Sequence, residues 1–105
     1  MPIDVTNFAQ PWEHVRLLSD PNRNAAMLEV MARRCPGARV LEVGCGSGLL
    51  SLIAARMGAR KVYGIEPTAQ IDLAHELVAR NGLQHVIELI PGMVQDIPPL
   101  KADFV

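Results

Sequence analysis

Two glutamates and three glycines carry the chemistry this sequence can do. Gly44, Gly46 and Gly48 alternate with Cys45 and Ser47 directly after the apolar run 40–43, and Leu49 opens the apolar segment that follows. Glycine serves there because the backbone must bend sharply at a strand end and a side chain would block a ligand's approach to the main chain. The spacing Gly44-x-Gly46-x-Gly48 differs from the G-x-G-x-x-G that grips a pyrophosphate, and Glu42 stands inside the strand just ahead of the bend. A carboxylate at that point repels phosphate and suits a ligand with a cationic amine. S-adenosylmethionine carries an ammonium and a sulfonium, so it is favoured over NAD. Glu66 ends the second apolar run, 18 positions after Gly48, with Pro67 behind it. A carboxylate so placed can accept hydrogen bonds from both ribose hydroxyls of an adenosine. Both acids have plainer alternatives: Glu42 could cap backbone N–H groups near the bend, and Glu66 could be a solvated strand-end carboxylate.

The elements that must position these groups follow from pattern. Residues 1–10 show no sustained period and read as an arm ahead of a domain spanning 11–105. Trp12, Val15, Leu17 and Leu18 form an apolar stripe ended by Ser19, Asp20 and Pro21. A second helix follows, with Asp20 as N-cap, Pro21 as its first residue, and Met27, Val30 and Met31 as its buried face. Cys35, Pro36 and Gly37 stop it. Residues 39–43 are the first strand, and the glycines feed a helix over 49–57 closed by Gly58. A strand over 61–66 completes a crossover unit of roughly thirty residues. The next helix begins at Pro67 and Thr68, buries Leu73, Ala74, Leu77 and Val78, and stops at Asn81 and Gly82. Residues 86–90 are a third strand, and 102–105 look like the opening of a fourth. Alternating strands and helices describe an α/β fold, a Rossmann-like doubly wound parallel sheet of which this is the front half.

Composition narrows the classes. The chain has 105 residues, half of them hydrophobic and 20% charged, enough for one folded domain. Ten basic against eleven acidic residues leave a formal charge of −1, which argues for neither nucleic acid nor an anionic membrane as partner. Two cysteines make no disulfide framework. With no apolar leader and no run long enough to span a bilayer, a cytoplasmic location is expected. His75 and His85 have no ligand spacing that suggests a metal.

The segments 40–51 and 54–66 resemble the S-adenosylmethionine-binding part of protein arginine methyltransferases, of the class I methyltransferase fold. The resemblance extends upstream, where His14 and Arg23 stand nine apart with Leu18 and Asp20 between them. It implies that Arg23 pairs with the cofactor's carboxylate and that His14 lies beside it. Downstream, residues 91–97 resemble the loop that reads adenine. Met93 and Val94 take part there, Val94 through its backbone, and Gln95 stands where the family usually has Glu. An amide oxygen can still accept from the adenine amine, without charge assistance. Glu42 replaces the commoner Asp. The family's two substrate-clamping glutamates, its His–acid pair and its substrate-holding barrel have no counterpart in this sequence.

The resemblance therefore implies a methyltransferase whose cofactor-binding half is this chain, with a protein arginine as acceptor and S-adenosylhomocysteine as product. The alternative is a catalytically inactive cofactor-binding or interaction module. A sheet cut at its fourth strand would expose an edge that invites association, with a second copy or a partner. An NAD-dependent dehydrogenase is disfavoured by the glycine spacing and Glu42.

Overall fold

The computed structural model describes residues 21–105, with side chains from residue 25 onward. The expected arm, the helix around Trp12, His14, the Asp20 cap and the Arg23 side chain lie outside the described residues.

Helix α1 runs Pro21–Arg34. Met27, Met31 and Cys35 recur every four residues, so they fall on one side of the helix, and Met31 and Cys35 are buried. Val30 was expected on that face. It stands off the stripe and remains 38% exposed. Arg33 and Arg34 end the helix where its dipole favours cations.

Strand β1 (Arg39–Val43), helix α2 (Leu49–Arg56), strand β2 (Lys61–Glu66), helix α3 (Gln70–Arg80) and strand β3 (Ile87–Pro91) then alternate. A short 3₁₀ turn occupies Val94–Asp96. Each strand is parallel to the next, in the order β1-β2-β3, because each helical crossover returns the chain in the same direction. The third strand sits one residue later than its apolar run suggests, since Pro91 pairs with Glu66. Helix α3 starts at Gln70 rather than at Pro67: Thr68 and its neighbours form a turn that serves Glu66 instead. Its buried face is Ile71, Ala74, Leu77 and Val78, with Leu73 only half-buried.

Beyond β1, on the side away from β2, Phe104 makes a parallel bridge to Val40. Leu41 N–H donates to the Phe104 carbonyl at 2.9 Å, and Asp103 N–H donates to the Arg39 carbonyl at 2.8 Å. The expected fourth strand is thus present as this single bridge. It puts β1 inside the sheet, where the strand order reverses and where such sheets bind ligands.

The core joins all these elements through Met31, Val40, Leu52, Val62, Leu77 and Ile87. One constraint inside it escaped the sequence reading. A Cβ on Gly64 would come within 3.1 Å of both Cys45 Sγ and Leu89 Cδ2, and within 3.2 Å of Cys45 Cβ. A glycine inside a strand marks such a close approach. Gly64→Ala should destabilise the fold by about 1–3 kcal/mol, read as a lower urea midpoint at unchanged slope. Adding Cys45→Ala should recover part of the loss, and no recovery would place the strain elsewhere.

Candidate functional site

The bend after β1 is built from three left-handed glycines, with φ of 72° at Gly44, 55° at Gly46 and 85° at Gly48. L side chains rarely take such angles, so the spacing seen in the sequence is a backbone requirement. The bend is stitched to β2: Gly44 and Cys45 N–H both donate to the Ile65 carbonyl, at 2.8 and 2.9 Å. Gly48 ends it, and a Cβ there would meet Ala74 Cβ at 3.1 Å, so α3 packs directly on the bend. Leu49, the first residue of α2, is buried.

Glu66 is buried at the end of β2, with 6% of its surface exposed. Its Oε1 accepts the Gly46 N–H at 2.8 Å, and its Oε2 accepts both the Thr68 N–H, at 3.1 Å, and the Thr68 hydroxyl. Burial pushes its pKa up. The donors from the Thr68 hydroxyl, Gly46 and the Thr68 backbone outweigh that and hold it below the ordinary carboxylate value. Glu66 is therefore ionised at neutral pH and couples the second strand to the glycine bend.

Glu42 sits in the opposite electrostatic state. Its Oε1 accepts the Ser51 hydroxyl at 2.6 Å, and it lines a cavity of about 440 Å³ with Met27, Met31, Leu50, Ala54 and Phe104. No described side chain lining that cavity is cationic. Burial raises its pKa to about 7, against the Ser51 hydrogen bonds, and the charge of Glu66 adds to the rise. Its partner is thus Ser51 on α2, through the hydroxyl and also through the backbone, so the plainer reading of Glu42 as an acceptor for N–H groups near the bend describes part of its bonding. Cys45 is buried with its thiol pushed up to about 12, by burial first and then by Glu42 and Glu66. It is packing, not a nucleophile.

The loop after β3 joins the same end of the sheet, since Gly92 N–H donates to the Glu66 carbonyl at 3.1 Å. Met93 and Val94 remain 46% and 41% exposed beside it, and Val43 50% exposed at the end of β1. Gln95 and Pro67 are exposed as well. The tertiary structure therefore gathers Glu42, residues 44–48, Glu66 and the loop 92–95 at the carboxyl ends of the strands. Among the described residues, no cluster of His, Cys, Asp and Glu could hold a metal ion, and no helix is long and apolar enough to cross a membrane.

Three residues of the site were missed. Ser51 carries no signal, being one hydroxyl on an apolar helix. Thr68 is legible in principle, as a hydroxyl residue two places after a strand-end acid and just before a helix. Gln70 places its Oε1 3.1 Å from where a Gly46 Cβ would stand. That depends on how α3 enters, which no local pattern specifies.

The sequence model of the family described as ribosomal protein L11 methyltransferase (PrmA) matches residues 25–105. The chain belongs to this methyltransferase family. Curated relatives of the PrmA-family chain include protein arginine N-methyltransferase PRMT10 of Arabidopsis thaliana, 49% identical over 66% of this chain and 18% of the relative. Another is the histone-arginine methyltransferase CARMER of Drosophila erecta, 46% identical over 63% of this chain and 13% of the relative. The chain thus spans less than a fifth of the length of these relatives. Among solved structures, Arabidopsis thaliana protein arginine methyltransferase 10 in a uniquely open conformation superposes with a TM-score of 0.76. It is 41% identical, over 88% of this chain and 28% of that one. The PRMT1 enzyme-prozyme heterotetrameric complex of Trypanosoma brucei with AdoHcy gives 0.74, at 38% identity, over 86% and 30%. The Rossmann-like α/β fold and the resemblance to arginine methyltransferases read from the glycine segment are both borne out.

The two glutamates of this PrmA-family site should pull stability in opposite directions with pH. Glu66, with its lowered pKa, stabilises the fold above the unfolded carboxylate value of 4.5, and that contribution is lost as pH falls toward its folded pKa. Glu42, raised to about 7, stabilises the fold while protonated, below 4.5, and this is lost as pH rises to 7. Glu42→Gln keeps an acceptor for Ser51 and removes the second loss. Urea unfolding of this variant between pH 4.5 and 8 should show it gaining on wild type by roughly 3 kcal/mol at the upper end. Parallel pH profiles would show that Glu42 is solvated.

Proposed function

We propose that this chain is the cofactor-binding part of an S-adenosylmethionine-dependent protein arginine methyltransferase. The observation that carries the reading is the pair of unlike carboxylates on one glycine bend. Glu66 is ionised and held by hydrogen-bond donors, as suits ribose hydroxyls, while Glu42 is half-buried with Ser51 for partner and no cation among the described side chains of its cavity, as suits a ligand ammonium. The relatives support the choice of ligand, since the trypanosome complex contains AdoHcy and PRMT6 has been solved with SAH.

In this reading the bare main chain of Gly44, Gly46 and Gly48 lies against the ligand, flanked by Cys45 and Leu49. Glu66 and Pro67 border the ribose. Met93 and Val94 supply exposed apolar surface for adenine, and Gln95 accepts from its amine. The resemblance assigns the cofactor carboxylate to Arg23, with His14 beside it. The bound cofactor supplies an activated methyl group, and the residues of this chain hold it in place. Alignment of two reactants can contribute up to about 7–11 kcal/mol to such a transfer. Asp103 is not available as a substrate clamp, since it already accepts from the Arg39 backbone N–H at 2.9 Å and its guanidinium at 3.4 Å.

The acceptor in this reading is a protein arginine, and the compartment is the reducing cytoplasm, in keeping with two buried cysteines that are both free. Association with a second copy or a partner is placed along the outer side of β1, where among the described residues Asp103 and Phe104 pair with Arg39, Val40 and Leu41.

Calorimetric titration should show binding of S-adenosylmethionine and S-adenosylhomocysteine and none of NAD. NAD binding of equal strength ends the proposal. Glu66→Ala should weaken binding by on the order of 1.5–3 kcal/mol for each charged hydrogen bond lost. Because an ammonium favours ionised Glu42, binding near pH 7 should release a proton, and affinity should climb with pH up to about 7 and then level off. Titrations in buffers of different ionisation enthalpy measure this. Transfer of a tritiated methyl group to an arginine-rich peptide separates an active enzyme from a module that only binds cofactor.

A further inference from the structure

Glu66 already holds more donors than a bidentate grip on a ribose allows. An ionised carboxylate offers about four lone-pair sites, two on each oxygen. In the free protein Gly46 N–H takes one site on Oε1, and the Thr68 N–H and hydroxyl take both on Oε2. One site, on Oε1, is left. A vicinal diol held by both oxygens needs one on each.

The three donors differ in how freely they can leave. Gly46 N–H belongs to a bend sewn to β2 by the Gly44 and Cys45 hydrogen bonds. Thr68 N–H is fixed by the backbone turn into α3, where Thr68 O accepts the Ile71 N–H at 3.2 Å. The Thr68 hydroxyl belongs to an exposed residue and can rotate, and its oxygen has a second engagement in accepting the Gln70 N–H at 3.3 Å.

We propose that the Thr68 hydroxyl stands in for one hydroxyl of a vicinal diol and yields its place on Glu66 Oε2 when a ribose-bearing ligand binds. Thr68 then sets how sharply the site tells a ribonucleoside from a deoxyribonucleoside. This rests on the reading of Glu66 as the ribose acceptor. With Thr68 present, a ligand lacking the competing hydroxyl leaves Oε2 satisfied, so the missing group costs little. With the Thr68 hydroxyl removed, the same ligand leaves a buried charged acceptor one donor short, and the ribo ligand gains accordingly.

The test is calorimetric titration of wild type, Thr68→Val, Thr68→Ala and Thr68→Ser with S-adenosylhomocysteine and its 2′-deoxy and 3′-deoxy analogues. Wild type and Thr68→Ser should prefer the ribo ligand over the more weakly bound analogue only a few-fold. In Thr68→Val and Thr68→Ala that preference should grow by about tenfold or more. In wild type, the Thr68 methyl resonance should shift on adding S-adenosylhomocysteine and stay put with the analogue that lacks the competing hydroxyl. This second readout needs no variant to fold. Unchanged preference in both variants, or equal methyl shifts with all three ligands, overturns the exchange while Glu66→Ala still loses affinity. Undiminished affinity in Glu66→Ala overturns the ribose reading itself, and the exchange with it.

Discussion

The hydrogen bond from Gly46 N–H to Glu66 is the interaction on which the site depends. It ties the bend after β1 to the end of β2, two stretches separated by a helix and a turn, and does so through the side chain that also meets the turn into α3. Without it the bend would be tied to β2 by the Gly44 and Cys45 bonds to the Ile65 carbonyl alone. A carboxylate suits this position because it accepts several donors at once and stays ionised among them. In the proposed reading, ligand binding and loop architecture share one group.

Glu42 and Glu66 show how environment makes two uses of one side chain. Both are withdrawn from water, which alone would raise both pKa values. Glu66 meets three donors and is driven below the ordinary range. Glu42 meets the Ser51 hydroxyl, faces a cavity without cations among the described side chains, and rises to about 7. Their mutual repulsion widens the gap. The proposed ligand, with hydroxyls at one end and a cation at the other, matches a site with one carboxylate satisfied internally and the other short of a countercharge.

Much of this was legible in the chain. The glycines at 44, 46 and 48 demand positive φ, and all three have it. The two apolar runs that carry the acids, 39–43 and 61–66, coincide with β1 and β2, because parallel strands buried in a sheet leave little choice of composition. The structure departs from the pattern where a residue's task is set by a side chain or by packing that periodicity does not encode. Thr68 was read as part of a helix, although its donors are taken by Glu66. Val30 was assigned to a buried face that α1 turns slightly aside. Gly64 carries no local signal, since the Cys45 and Leu89 side chains that exclude a Cβ there come from separate elements.

By itself the sequence determined the alternation of elements, the bend, and the identity of the acids that flank it, because these are local consequences of periodicity and backbone sterics. Only the tertiary structure decided which protonation state each acid adopts and which hydroxyl sits on it. Those properties follow from burial and from donors that other segments bring up, Ser51 from α2 and Gly46 from the bend, and among the donors only the Thr68 hydroxyl leaves a trace in the spacing of residues.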